Sequence, residues 1–240
     1  MTVRHLSVRG IRLCVDMTGK PASRPLVLIH ALGANKSSWD EIAPAFAGTH
    51  HVYAVDMRGF GDSDQPGLYS FQDMRDDVLG LLDAIGADRA DIIGHSMGAS
   101  VAWLVAEAQP ERIAHLVVED TTPPRQGVRL PRTPPPEPPE EVPFDWQALL
   151  AVAAQVNDPD PAWWDQVPAV TAPVLMLAGG RDSHVPQHLF AEVLARLPNG
   201  RMLEIPVGHH IHKDAPNEFL AAVEPFLCSG SGDGMASFPT

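Results

Sequence analysis

The chain has little that would support a disulfide scaffold or a membrane span. Its two cysteines, Cys14 and Cys228, stand near opposite ends of 240 residues and are too few to staple a small fold. We expect both to be free thiols in a reducing compartment. No run approaches the ~18 consecutive apolar residues of a membrane helix, and no apolar segment follows the first residues as it would in a signal peptide. The sequence therefore predicts a cytoplasmic protein that does not enter a membrane.

Positive charge is also scarce. The chain carries 17 Lys and Arg against 30 Asp and Glu, a formal net charge of −13 at pH 7. Such a surface repels the phosphates of nucleic acids and anionic lipids, so we expect neither as a partner. The apolar fraction of 45% is ordinary for a globular protein, and the length fits one domain with a sizeable core.

The most informative segment that is present reads Gly-His-Ser-Met-Gly at 94–98. A short strand-like run precedes it at 90–93, and an apolar helical run follows it at 99–108. This is the G-x-S-x-G pattern, in which a serine on a sharp strand-to-helix turn exposes its hydroxyl at the top of a sheet. The pattern predicts that Ser96 is a nucleophile.

A serine hydroxyl needs a base to take its proton, and this pattern calls for an acid and then a histidine further along the chain. An apolar run at 174–179 is followed by Gly180-Arg181-Asp182, and a strand-like run at 201–206 is followed by Gly208-His209. Both polar groups would lie at the ends of parallel strands, where ligands gather.

With these motifs the chain resembles the α/β-hydrolase superfamily over nearly all of residues 1–228. His-Ala-Leu-Gly at 30–33 resembles the family's His-Gly oxyanion loop, and Asp-Met-Arg-Gly-Phe-Gly-Asp-Ser at 56–63 resembles its D-x-R-G-x-G-x-S turn. The segments at 180–186 and 208–216 resemble its acid and histidine loops. Ala31 departs from the pattern, because the family usually has glycine there.

The resemblance implies an α/β fold with a mostly parallel eight-stranded sheet and flanking helices. The alternation of strand and helix patterns fits it, with an antiparallel opening hairpin and a helix predicted near 37–47. We expect the hydrolase core at 1–120 and 173–228, a short proline-rich cap at 121–172, and a flexible tail at 229–240.

The cap segment breaks the alternation, because it carries 12 of the 24 prolines. We predict an extended crossing near 123–143 and two short helices near 144–156 and 160–167. Its aromatic residues either line an apolar pocket or anchor the cap to the body. As candidate substrate contacts we name Phe144, Trp146, Trp163, Trp164, and, outside the cap, Ala31 and His184.

The family pattern assigns the base to His209, which directly follows a glycine. His210 and His212 are then structural or pocket-lining, and no ligand motif supports a metal cluster at these histidines. For the acid, the loop pattern favours Asp182, but Asp120 ends the strand at 115–119 and is its rival, with Glu119 a weaker one.

The resemblance also implies an oxyanion hole made by the backbone N–H groups of Leu32 and Met97. His30 and His95 are expected to brace their loops, and Asp56 and Arg58 to tie their turn together. We expect no metal and no cofactor.

The implied chemistry is acyl transfer to water through an acyl-enzyme on Ser96, with a small or medium carboxylic ester or lactone as substrate. Cofactor-free perhydrolase activity and carbon–carbon bond hydrolysis use the same triad and stay open. A serine at position 96 disfavours dehalogenase and epoxide hydrolase activity, for which the family would have aspartate there. A different class of function also stays open, in which the protein is a ligand-binding receptor with slow turnover.

Overall fold

A computed structural model describes residues 1–128 and 133–229. Eight strands form one sheet in the order β1-β2-β4-β3-β5-β6-β7-β8. They are β1 (Thr2–Val8), β2 (Ile11–Gly19), β3 (Arg24–Ile29), β4 (His50–Val55), β5 (Ala90–His95), β6 (Ile113–Glu119), β7 (Val174–Ala178) and β8 (Gly200–Glu204). β1 and β2 form the predicted hairpin and join the sheet antiparallel to β4, and β3 to β8 are parallel. The predicted fold class is confirmed.

Helices cover both faces of the sheet. They are α1 (Ala43–Phe46), α2 (Phe71–Ala84), α3 (Met97–Ala108), α4 (Trp146–Asn157), α5 (Pro161–Asp165), α6 (His188–Leu194), α7 (Ile211–Asp214) and α8 (Pro216–Cys228). One core cluster packs under α2 to α6 and the other under α1 and α8. The central strands are buried along their whole length, as strands of a parallel sheet covered on both faces should be.

The helix predicted near 37–47 is wrong as a single element. The segment folds as a 3₁₀ turn, Lys36–Trp39, followed by the one-turn helix α1. Pro44 has no N–H to donate and its ring opposes helical continuation from the preceding turn, so the segment breaks at residues 40–42 and Pro44 lies in the first turn of α1. Asn35 accepts the Ser37 N–H at 2.9 Å and begins the first turn.

The segment between β6 and β7 crosses the top of the sheet. In its described part, residues 121–128 and 133–145 contain no helix, and an isolated bridge joins Phe144 to Phe60 of the core. Asp145 and Asp160 then cap α4 and α5 by accepting the N–H groups of Gln147 and Ala162. Residues 129–132 and most of the predicted tail, 230–240, lie outside the described residues. Within the described chain, no helix is long and apolar enough to cross a membrane.

Candidate active site

Ser96 occupies a strained turn between β5 and α3. Its φ of 52° and ψ of −115° lie outside the usual regions for a residue with a side chain. The turn is tight because a Cβ on Gly94 would meet Gly98 O at 2.4 Å, and one on Gly98 would meet Ile29 O at 2.3 Å. Only glycine fits at these two positions, so they hold Ser96 out at the carboxyl edge of the sheet.

His209 is oriented by Asp120. Asp120 follows the last residue of β6 with φ of 43°, and its N–H donates to Leu177 O of β7 at 2.8 Å. The His209 Nδ1 lies 2.8 Å from Asp120 Oδ2. Because a carboxylate only accepts, Nδ1 carries the proton and Nε2 is left as the acceptor. This is the tautomer that a general base for a serine hydroxyl requires.

Further donors surround the Asp120 carboxylate. Gly179 N–H donates to Oδ1 at 2.7 Å, and the Ser183 hydroxyl donates to Oδ2. Burial alone would raise the pKa of Asp120, but the hydrogen bonds from His209, Ser183 and Gly179 outweigh it and hold the pKa below its ordinary value. Asp120 is therefore an anion at neutral pH.

Asp182, the acid preferred from the sequence, does not contact His209. It ends a 3₁₀ turn, Gly180–Asp182, and its side chain is 66% exposed beside Arg181. The turn brings the backbone carbonyl of Asp182 toward Gly208 and sends the carboxylate outward. The preference for Asp182 was wrong on this point, and the rival Asp120 occupies the position. Glu119, the weaker rival, instead accepts the N–H and Nδ1–H of His212 in the core.

Ser96 and His209 border the same cavity, which encloses about 720 Å³ of empty space, part of it open to solvent. Among the other residues of its wall, the apolar ones predominate: Leu32, Met97, Val128, Val152, Val156, Val185 and Leu189, with Pro123, Pro124 and Pro186. A concave apolar site around a few polar groups is the usual form of a small-molecule site.

Of the predicted substrate contacts, His184 reaches this cavity. Its ring meets the His209 ring edge to face, with centroids 4.2 Å apart. Burial and the neighbouring His209 lower the pKa of His184, so it is neutral at neutral pH. Ala31 does not border the cavity, since it is buried one residue before Leu32.

The four cap aromatics do not border the cavity either, so their prediction as substrate contacts was wrong. Phe144 packs on Phe60 at 5.5 Å between ring centroids, with Trp146 stacked on its other side. Trp163 packs edge to face on Phe71 of α2 at 5.5 Å. These large apolar rings find more contact against the body than at a solvent-filled opening, and they attach the cap to the core.

Trp164 is also buried, beneath two guanidinium groups. Arg125 lies 4.6 Å and Arg196 5.4 Å from its ring centre. Arg125 belongs to the cavity wall, so Trp164 acts on the site indirectly, as its support.

Leu32 and Met97 flank Ser96 in the cavity wall. Met97 begins α3, and the first N–H groups of a helix have no acceptor within it. The Leu32 loop is braced by His30, whose Nδ1 donates to Ala31 O at 2.8 Å and whose Nε2 accepts the Met57 N–H at 3.1 Å. The braced loop and the helix N-terminus are suited to place two donors beside a developing oxyanion.

Two clusters in the described residues have metal-ligand chemistry, and members of both make hydrogen bonds or ion pairs within the protein. His212 Nε2 is buried and has no hydrogen-bond partner in the described residues. His95, Glu119 and His212 offer ligand atoms within 4.8 Å of one another. His95 Nε2 donates to His209 O at 2.7 Å, and burial lowers the pKa of His95 to about 3. His212 is held by Glu119 and stacks on Trp39.

The second cluster combines Cys14 with Asp56 and Asp62. The Lys36 ammonium lies 2.8 Å from each of the two carboxylates and supplies the positive charge that a cation would bring. Arg58 pairs separately with Asp77 at 2.6 Å. These contacts agree with the expected bracing of the turn at 56–63.

Sequence reasoning missed Ser183 and Gln187, which contact Asp120, and most of the cavity wall, including Arg125. Ser183 lies in the segment at 180–186 that resembles the family's acid loop, and Gln187 directly follows it. Arg125 was not singled out because its segment is an irregular proline-rich crossing. Their only signal was proximity in sequence to motifs already assigned.

Comparison with known proteins decides the family. A family model described as the alpha/beta hydrolase fold matches residues 24–156. The chain belongs to the α/β-hydrolase fold family. The sn-1-specific diacylglycerol lipase ABHD11 of Mus musculus is 27% identical over 93% of this chain and 87% of its own length.

Epoxide hydrolase A of Mycobacterium tuberculosis is 36% identical, but over 47% of this chain and 36% of its own length. A hydrolase from Pseudomonas aeruginosa has the same fold, with a TM-score of 0.80 at 24% identity over 95% of this chain and 99% of that one. The comparisons support a hydrolase as the coarse function of this α/β-hydrolase.

Proposed function

We propose that the protein is a serine hydrolase that cleaves a small to medium carboxylic ester or lactone through an acyl-enzyme. The proposal rests chiefly on one observation: Ser96, on its strained turn, borders the same cavity as His209, whose Nδ1 is fixed by Asp120 at 2.8 Å. The acid of the proposed triad is Asp120, and Asp182 has no part in it.

The proposed reaction begins with Ser96 Oγ attacking the substrate carbonyl while His209 Nε2 takes its proton. The oxyanion is stabilised by the N–H groups of Leu32 and Met97, near the positive end of α3. The imidazolium then protonates the leaving alkoxide, and an ester joins the acyl group to Ser96. Water, deprotonated by His209, attacks this ester and releases the carboxylic acid and the free serine.

An ester or lactone fits this site better than an amide, because an alkoxide leaves more readily than an amine. Opening an epoxide with Ser96 would leave a stable ether on the enzyme, which water attack at a carbonyl could not release. Ester hydrolysis also agrees with the lipase relative, which is named as a diacylglycerol lipase.

The test is hydrolysis of p-nitrophenyl esters with acyl chains of two to twelve carbons, combined with fluorophosphonate labelling. We expect turnover by the wild type and labelling at Ser96. Ser96→Ala should not be labelled, and its kcat should be lower than that of the wild type by a factor of at least about 10³. Ser100→Ala, a matched change of another serine bordering the cavity, should retain labelling.

Labelling of Ser96 without turnover of any ester would favour another acyl substrate or the receptor reading. Equal turnover by the wild type and Ser96→Ala would contradict the proposed nucleophile.

A further inference from the structure

Besides its histidines, the described wall of the cavity contains one ionisable side chain with a full charge, Arg125. A free arginine in such a place would bind a substrate carboxylate, since its planar fork matches that group. Whether Arg125 does so depends on what already holds its guanidinium.

Glu192 of α6 holds it. Its carboxylate lies 2.5 Å from Arg125 Nη1, with the two side chains 36% and 42% exposed. The Cζ atom of the guanidinium lies over the Trp164 ring, 4.6 Å from its centre. The charge of Arg125 is thus offset by a carboxylate of the same chain, and its guanidinium also lies over an aromatic ring.

Besides its histidines, the rest of the described wall carries no ionisable side chain. Its remaining donors are neutral: the two backbone N–H groups proposed for the oxyanion hole and the hydroxyls of Ser96, Ser100, Thr121 and Thr122. Val152 and Val156 of α4 line the cavity, as does Leu189, which lies about one turn before Glu192 on α6. His184 carries no positive charge at neutral pH, because its pKa is lowered by burial. A carboxylate entering here would lose water, and the one guanidinium in the described part of the wall is already paired with Glu192.

Building on the proposed hydrolase function, we propose that the site selects neutral, apolar acyl groups and rejects acyl chains that end in a carboxylate, because Glu192 occupies Arg125. Glu192 is then a specificity-determining residue, although it does not itself border the cavity. Removing its charge should free the guanidinium for the carboxylate of an acidic substrate.

The experiment compares p-nitrophenyl hexanoate with the mono-p-nitrophenyl esters of glutaric, adipic and pimelic acids, with the rate of Ser96→Ala subtracted. The readout is the ratio of kcat/KM for the acidic ester to that for hexanoate. We expect a ratio well below one in the wild type, and a rise of about tenfold, equivalent to 1.4 kcal/mol, in Glu192→Gln for the best-fitting chain length.

Three variants serve as controls for this ratio. Glu192→Asp keeps the charge and should hold the ratio near that of the wild type. Glu224→Gln removes an exposed glutamate of α8 and should leave the ratio unchanged, which accounts for net charge. Arg125→Gln combined with Glu192→Gln should cancel the rise, because the gain requires the freed guanidinium.

A wild-type preference for an acidic ester would overturn the proposal, as would an unchanged ratio in Glu192→Gln or a rise that persists in the double variant. Failure of the proposed function is a separate result, namely no hydrolysis of hexanoate by the wild type and no labelling of Ser96.

Discussion

Glu107 should make the stability of the protein fall with rising pH. It lies in the last turn of α3 with 7% of its surface exposed, and neither carboxylate oxygen has a hydrogen-bond partner in the described residues. Burial raises the pKa of Glu107 from 4.5 to about 9, against a small opposing effect of Arg75. Folding therefore favours the protonated side chain.

The direction in which stability changes with pH follows from proton binding by Glu107. Between pH 4.5 and about 9 the folded state keeps the proton that the unfolded chain has released. The stabilisation is complete below the unfolded pKa and is lost as pH rises through the folded one. From pH 6 to pH 8, two pH units, the free energy of unfolding should fall by ~3 kcal/mol at 1.36 kcal/mol per unit.

Glu107→Gln should remove this loss, because glutamine resembles the protonated acid and does not titrate. In urea unfolding at pH 6 and pH 8, the wild type should lose ~3 kcal/mol more than the variant between the two values. Between pH 6 and pH 8 the melting temperature of the wild type should then fall by roughly 6–12 °C more than that of the variant. Glu111→Gln, at an exposed glutamate nearby, should follow the wild type. Parallel behaviour of the wild type and Glu107→Gln would refute the reasoning and show that Glu107 is ionised in the folded protein.

Three further substitutions test individual contacts. Ser183→Ala removes a donor to the Asp120 carboxylate and should lower kcat tenfold to about a hundredfold, whereas Ser183→Thr, which keeps the hydroxyl, should retain most activity; equal rates would contradict the contact. Gly98→Ala places a Cβ 2.3 Å from Ile29 O and should abolish fluorophosphonate labelling, while labelling at the wild-type rate would show that the turn can relax. Trp163→Ala should lower the free energy of unfolding by about 3–5 kcal/mol and leave the KM for p-nitrophenyl butyrate unchanged. A raised KM would show that this tryptophan contributes to substrate binding.

The fold and the nucleophile turn were predictable because local patterns determine them. The G-x-S-x-G segment needs glycine at 94 and 98 for backbone clearance, and that requirement is written in the sequence. Short, mostly apolar runs at β3, β5, β6 and β7 predict buried parallel strands.

The choice between two aspartates was not predictable in this way. Both Asp120 and Asp182 follow parallel strands that end at the same edge. Which carboxylate reaches His209 depends on side-chain direction, and that is set by the positive φ of Asp120 and by the turn that sends Asp182 outward. The sequence records neither angle.

The cap aromatics failed as predicted contacts for a related reason. Composition identifies Phe144 and Trp163 as apolar anchors, but it does not say which surface they cover. Their partners, Phe60 and Phe71, lie far away in sequence, so the pairing is visible only in three dimensions.

The central claim is that Asp120, rather than Asp182, orients His209 for attack by Ser96. The most direct test measures kcat/KM for p-nitrophenyl butyrate with Asp120→Asn and Asp182→Asn, two identical changes at the rival positions. In Asp120→Asn, kcat/KM should fall by a factor of about 10³–10⁴, because the imidazole then favours the wrong tautomer. In Asp182→Asn, kcat/KM should stay near the wild-type value. A severe loss in Asp182→Asn with an active Asp120→Asn would contradict the account.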